Sequence, residues 1–495
     1  MAEAPSSGSG PALLDRPHGL GRRVAWNTVA QAGARFVGLA LALVTVTLVT
    51  RHLGVAGYGD LTAVLVFLSL ATVFFDWGIP TLLVRQMSQR TASPAHVIGV
   101  ALALRFLLAI VVAGLAILVA AAIYQSADER AIRNGIAIGL VTIVFTSITT
   151  TLGTYFQAEL KMVWFASAEA AGQAITVALI VAAIVLDYGF YWIVGATVIG
   201  SGANALLNYL FLRRYVRVRP QVDVPAWRRL VAQSLPLGIA LVLSSLYFRI
   251  DAILLSLLRG SHDLGIYGIA FRFSEMLTPF ALYFVASVFP VLAALVRRQA
   301  EPEVKLLLQR SFDVLVVAAT PIVLGTMAIA PQIVGVLAGP GFAAAATPMR
   351  VVIAGAGLTF LNIFFGYVVV AVERQRSAIW VNAAALTFNL VLNLILIPPY
   401  GYNAAAAVAT ASEALILVGL LFFTHRYTRF LPGLSVTLRA LVAGGAMFGV
   451  VYAFHPQIVV DVLIGAAVYT AGLYALRVHR LLELAQVLRR APVPE

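Results

Sequence analysis

Apolar residues along this chain fill runs of twenty and more, separated by short breaks of Gly, Pro, Asp and Arg, and do not alternate with polar ones. A helix of about 20 apolar residues is what a hydrocarbon core about 30 Å thick requires, whereas the strands of a membrane barrel alternate over about ten. Set between their breakers, the runs predict fourteen membrane-spanning helices, at residues 24–50, 60–84, 96–123, 132–156, 163–186, 190–212, 229–258, 264–295, 311–330, 347–372, 377–397, 402–424, 436–454 and 457–476. The first run is too long for a signal-peptide core and ends in Arg51 and His52 instead of a small-residue cleavage site, so it is expected to stay as a span. Glycines at 54, 57, 59 and 260 and the Pro398-Pro399 pair mark turns.

Composition agrees with this pattern: 61% of the 495 residues are hydrophobic and 11% charged, and the mean hydropathy is +0.94. The net charge of +13 falls in short Arg clusters between spans and forms no basic arm or domain, so nucleic acid is not an expected partner and membrane lipids are. Cationic loops are poorly translocated. Counting residues at a span's end with the adjoining loop, one set of alternate loops and tails holds 25 of the 34 Lys and Arg, the opposite set five, and four lie deeper inside spans. An even number of spans then puts both termini in the cytoplasm of a multi-pass cell (inner) membrane protein. The six Trp, at 26, 77, 164, 192, 227 and 380, fall at span ends or flanking loops, as interfacial aromatics should. The chain has no Cys, and its seven His show no metal-ligand spacing, so neither a metal site nor a cofactor is expected.

The chain also resembles itself. Tyr58-Gly59 matches Tyr267-Gly268 at an offset of 209, and Asp187-Tyr188-Gly189-Phe190 matches Pro399-Tyr400-Gly401-Tyr402 at an offset of 212. Spans one to six and seven to twelve thus read as two copies of the same orientation, and parallel repeats of this kind carry a binding site between their halves near the midplane.

Three stretches taken together, VTRHLGVAGYGDL at 49–61, RIDAILLSLLRGSHDLGIYGIAFRFSE at 249–275 and FNLVLNLILIPPYGYNAAAAVATASE at 388–413, resemble the polysaccharide and oligosaccharide (Wzx-like) flippases of the multidrug/oligosaccharidyl-lipid/polysaccharide exporter superfamily. The resemblance spans about residues 22–480. It implies an all-α polytopic protein with two six-helix lobes and two peripheral C-terminal helices, working by alternating access on a polyprenyl-pyrophosphate-linked oligosaccharide for cell-surface polysaccharide biosynthesis. The expected organisation is a cytoplasmic tail at 1–21, a lobe at 22–220, a lobe at 221–428, two helices at 429–480 and a tail at 481–495. Expected partners are the lipid-linked oligosaccharide, other polysaccharide assembly proteins, and H+ or Na+ as the coupling ion, with the choice of ion left open.

A charge near the bilayer centre costs about 3 kcal/mol on insertion scales, so each intramembrane charge should face a partner or a wet cavity. Guanidinium suits a pyrophosphate because it keeps its charge and grips phosphate oxygens in pairs. Arg35, Arg249 and Arg272 are the candidate substrate-binding residues, with a structural ion pair as the alternative role for Arg249 and Arg272. Asp251, Glu275 and Glu413 are the coupling candidates. Arg249 and Asp251 lie about 200° apart on a helix and cannot neutralise each other, whereas Arg272 and Glu275 can pair at three residues' spacing. Arg105 is expected to snorkel to its nearer span end and Asp76 to pair with Arg85 at the interface. Asn389 with Asn393, and Asn204 with Asn208, are expected to make interhelical hydrogen bonds.

Three functions compete. A carrier of lipid-linked sugar is preferred to a cation-coupled drug exporter of the same superfamily. An integral membrane glycosyltransferase or polymerase comes third, because the outer loops are short and sparsely charged and no GxSxG, HExxH or P-loop pattern occurs. The protein is therefore expected not to be an enzyme.

Overall fold

The computed structural model describes the backbone of residues 17–89, 93–127, 129–454 and 457–478, with side chains from Gly38 onward in those ranges, Ala240 excepted. Among these residues the chain forms α1 (Pro17–Asp76), α2 (Ile79–Ser88), α3 (Pro94–Ile123), α4 (Arg130–Gly139), α5 (Val141–Ala158), α6 (Met162–Val185) and α7 (Phe190–Leu212). There follow α8 (Val224–Arg297), α9 (Glu301–Leu337), a 3-10 turn (Pro340–Ala345), α10 (Ala346–Ala371), α11 (Gln375–Thr428), α12 (Ser435–Phe454) and α13 (Ile458–Ala475). No strand occurs among the described residues.

Eleven helical stretches are long and apolar enough to cross a membrane. Three of them, in α1, α8 and α11, break at glycines with positive φ: Gly54 (67°), Gly260 (79°) and Gly401 (57°). With ψ near −173°, −170° and −138°, these glycines occupy a region essentially closed to residues with a Cβ. Each break divides its helix into two limbs, so the eleven stretches give the fourteen expected spans. The breaks at Gly54 and Gly260 fall in the two copies of the repeat, and the turn between α6 and α7 at Gly189 has its counterpart at Gly401.

Several boundaries differ from the expected ones. Span nine, expected at 311–330, is the 37-residue α9. The stretch 296–310, read as a loop, is helical from Glu301, where Pro302 and the acidic pair Glu301 and Glu303 provide a favourable first turn despite their polarity. At its other end α9 bends at Ile329 (φ −106°), two residues before Pro331, which lacks the N–H of a helical residue and crowds the preceding turn. Span four divides into α4 and α5. Pro17–Gly21, expected in the first tail, opens α1; residues 1–16 and the tail at 481–495 lie outside the described residues.

By compactness the chain divides into two units, one of residues up to Thr45 with Ala71–Ile123 and Ala137–Leu241, the other of Val46–Leu70, Tyr124–Ile136 and Val242 onward. The first has a core of Ile79, Leu83, Leu104, Leu152, Phe156 and Leu212. Its helices α6 and α7 approach through glycines: a Cβ on Gly200 would stand 1.8 Å from Thr176 Oγ1. Small residues let membrane helices pack where no hydrophobic gain drives them together. The second unit has a core of Leu307, Leu308, Phe312, Phe364, Phe365 and Val368. There Gly59 abuts the carbonyl of Ser261 so closely that a Cβ would fall 1.7 Å from its oxygen. Large apolar side chains such as Leu118 (67% exposed) and Val185 (77%) point outward, as lipid contact demands.

Candidate functional site

The second unit gathers most of the intramembrane charge. Before Gly260, the first limb of α8 carries Tyr247, Arg249 and Asp251; after it, the second limb carries Tyr267, Phe271, Arg272 and Glu275. Reversal of the chain at Gly260 brings the limbs side by side. Arg249 Nη2 lies 2.9 Å from Glu275 Oε1, and Arg272 Nη1 lies 3.3 Å from Glu275 Oε2. Two guanidiniums thus converge on one carboxylate. Arg249 also stacks over Phe271, 5.8 Å from the ring centre. These side chains stay partly open, with Arg249 25% and Arg272 49% exposed.

Asp251, only 3% exposed, accepts a hydrogen bond from the Tyr267 hydroxyl and another from the Ala252 N–H at 2.8 Å. The separation of Arg249 from Asp251 by helical geometry therefore holds, each finding its partner on the other limb or in the backbone. On α11, Glu413 accepts from Tyr247 Oη at 3.0 Å and from Asn362 Nδ2, on α10, at 2.7 Å. The same Asn362 amide also donates to the Glu413 carbonyl at 2.9 Å. Asp251, Glu275 and Glu413 line one cavity of about 70 Å³ together with Tyr247, Thr359 and Asn389. At about 10–15 Å³ of such space per water it has room for an ion or a few waters.

Of the six site residues expected from sequence, Arg249, Arg272, Asp251, Glu275 and Glu413 gather around this cavity or its rim. Arg35 lies on α1, and its side chain is outside the described residues. Tyr267, Tyr247 and Asn362, the donors that hold the two buried carboxylates, were not singled out as such. The Asn pairs differ from expectation: Asn393 bonds Asn389 and Asn208 bonds Asn204 along their own helices, at 2.9 and 2.8 Å. Only Asn389, through Ser412 Oγ at 3.2 Å, reaches across to another limb.

The first unit holds a different arrangement. Arg105 of α3 is fully buried and pairs with Asp76 at the end of α1, while its Nη1 donates to Thr151 Oγ1 of α5 at 2.9 Å. It also lies over the Phe75 ring, 5.4 Å from its centre. The expected snorkelling of Arg105 and the Asp76–Arg85 pairing are thereby corrected: a partner was available closer than the interface. No group of three or more His, Asp or Glu with metal-ligand spacing occurs among the described residues.

A family model described as polysaccharide biosynthesis protein matches residues 20–296, more than half of the chain. The chain belongs to the polysaccharide biosynthesis protein family. A second model, MatE, matches residues 236–395, across the cavity. The probable flippase AglR of Haloferax volcanii is 24% identical over 234 residues, 45% of this chain and 49% of that protein, so the chain spans about half the length of the curated relative it matches. Among solved structures, the lipid II flippase MurJ in an inward closed conformation superposes with a TM-score of 0.75 at 14% identity, covering 90% of this chain and 98% of MurJ. An inward-facing multidrug resistance MATE transporter of the MOP superfamily superposes at 0.66 and 11% identity, over 81% and 98%. These likenesses to solved structures show the fold of this family member, which is shared with MurJ and the MATE transporter.

Proposed function

We propose that this member of the polysaccharide biosynthesis protein family is a flippase that carries a polyprenyl-pyrophosphate-linked oligosaccharide from the cytoplasmic to the outer leaflet of the cell membrane by alternating access of two six-helix lobes. The observation that carries the reading is the cluster of two guanidiniums on one carboxylate, Arg249 and Arg272 on Glu275, inside a chain of this family. One guanidinium's charge is left without a carboxylate of its own there, and a pyrophosphate supplies it. Neither Arg is sealed away, so both can exchange a carboxylate oxygen for a phosphate oxygen at little structural cost. Arg35 is the proposed counterpart in the first lobe. Asp251 and Glu413, beside a cavity with room for an ion or a few waters, are the proposed carboxylates of H+ or Na+ coupling.

The MatE match over residues 236–395 favours a second reading, a cation-coupled drug exporter. Proteoliposomes containing the purified protein separate the two. Movement of a radiolabelled polyprenyl-pyrophosphate oligosaccharide between leaflets, reduced by Arg249→Ala, supports the flippase; efflux of cationic drugs with no movement of the lipid-linked sugar overturns it.

A further inference from the structure

We propose that the second unit has a headgroup site for an anionic phospholipid, built by α9, α12 and the residues just after α13, distinct from the cavity of Asp251 and Glu413. A cavity of about 980 Å³ opens at the ends of these helices, where α12 begins at Ser435 and α13 has just ended at Ala475. Three guanidiniums reach it from three elements: Arg310 of α9, Arg439 of α12 and Arg477 after α13. Among the described residues neither Arg439 nor Arg477 has a carboxylate within ion-pair distance. The one acid on the cavity wall, Asp313, accepts from Gln309 Nε2 at 2.8 Å and faces Arg310 of its own helix, so it does not offset Arg439 and Arg477.

The wall is also anchored. Gln309 donates to the Gly433 carbonyl at 3.0 Å and accepts from the Gly433 N–H at 2.7 Å, tying the segment before α12 to α9. Like charges held around one fixed cavity repel unless an anion sits among them, and guanidiniums are suited to phosphate oxygens. What makes the anion a lipid is its setting. Leu434 and Leu438, 56% and 61% exposed, flank the cavity at the start of an apolar helix, where acyl chains would lie. The cation pattern of the sequence places these helix ends at the anionic cytoplasmic leaflet.

The test titrates phosphatidylglycerol onto the purified full-length protein in mild detergent and counts bound lipid by native mass spectrometry. The R439Q/R477Q variant is expected to weaken binding at least tenfold, and the corresponding Lys variant less. R297Q/R298Q, which loses the same charge from the exposed end of α8, should stay within twofold of the wild type, as should phosphatidylcholine binding in every variant. Unchanged thermal unfolding of R439Q/R477Q keeps the comparison free of misfolding. Equal weakening by both double variants would reduce the site to diffuse surface charge and overturn the proposal. So would displacement of the lipid by millimolar inorganic phosphate, which marks a free-anion pocket. Displacement by polyprenyl pyrophosphate at equal concentration would assign the cavity to the transported substrate and also overturn it.

Discussion

Two clusters of the same residue types, one in each compact unit, have opposite characters. In the first, Arg105 is wholly enclosed, has one acid, Asp76, and one hydroxyl, Thr151, and its pairing is one to one. In the second, Arg249 and Arg272 share Glu275 and remain partly open. A balanced pair whose guanidinium is wholly buried can do little but hold helices, because exchanging its partner would leave that arginine orphaned in a low-dielectric medium. An open, unbalanced cluster can trade partners. Burial of the guanidinium and charge balance therefore separate the two clusters where depth along a span does not.

The largest expected effect tests the enclosed cluster. Arg105→Ala leaves Asp76, a third of whose side chain is exposed, without its counter-ion; it removes a charged hydrogen bond worth about 1.5–3 kcal/mol together with the packing of a wholly buried side chain. Membrane abundance should fall severely. Arg105→Met with Asp76→Leu should recover much of it, because replacing both members of a buried pair by apolar residues is often neutral. Normal abundance of the single variant would show that Arg105 is not held as described. The open cluster should behave in reverse. Arg249→Ala should keep near-normal abundance yet lower glycan export, normalised to protein, by tenfold or more, since a hydrogen bond to a charged group is worth about 1.5–3 kcal/mol. Arg249→Lys should retain part of the export, as charge survives without the two-pronged geometry. Loss of export wholly explained by loss of protein would move Arg249 into the structural class. Arg272→Ala should follow the same pattern with a smaller loss, because at 49% exposure its interactions compete with water.

The number of limbs was legible because apolar run length and Gly or Pro breakers are local signals, and Gly54 and Gly260 show their cause directly in the backbone. Five of the six candidate residues, which the structure brings close together, could be picked out for a similar reason: an ionisable residue inside an apolar run stands out without any knowledge of its neighbours. Their partners were not. Asp76 and Arg105 are 29 positions apart and Asn362 and Glu413 are 51 apart, and no periodicity links such positions. Position within the run suggested that Arg105 could snorkel, but a carboxylate within reach on a neighbouring helix is a stronger attractor than a distant interface. The start of α9 was hidden for the opposite reason. Its first turns are polar, and a reading guided by hydropathy ends a span where the helix in fact continues toward water. Tyr247 and Tyr267 look like ordinary packing aromatics until the carboxylates they serve are in place.

The smallest effect sharpens the comparison from inside the second unit. Glu413 is held by Tyr247 Oη, Asn362 Nδ2 and the Thr359 hydroxyl, and the Asn362 amide also reaches the Glu413 carbonyl. Tyr247→Phe removes one of these hydrogen bonds and keeps the ring that packs against Phe248. Because the carboxylate keeps its bond to Asn362, the loss should be that of a single polar contact between membrane helices, about 0.6 kcal/mol on average and up to about 1.7. A lowering of a few degrees in the thermal unfolding of the purified protein would report it. In a double-mutant cycle with Glu413→Gln, the two substitutions should be non-additive by a similar amount, because they touch the same bond. Full additivity would mean that the hydroxyl and the carboxylate do not interact in the membrane, leaving Glu413 to Asn362 and Thr359. A cost as large as that of Arg105→Ala would instead place Glu413 in the enclosed class, with Tyr247 as its indispensable partner.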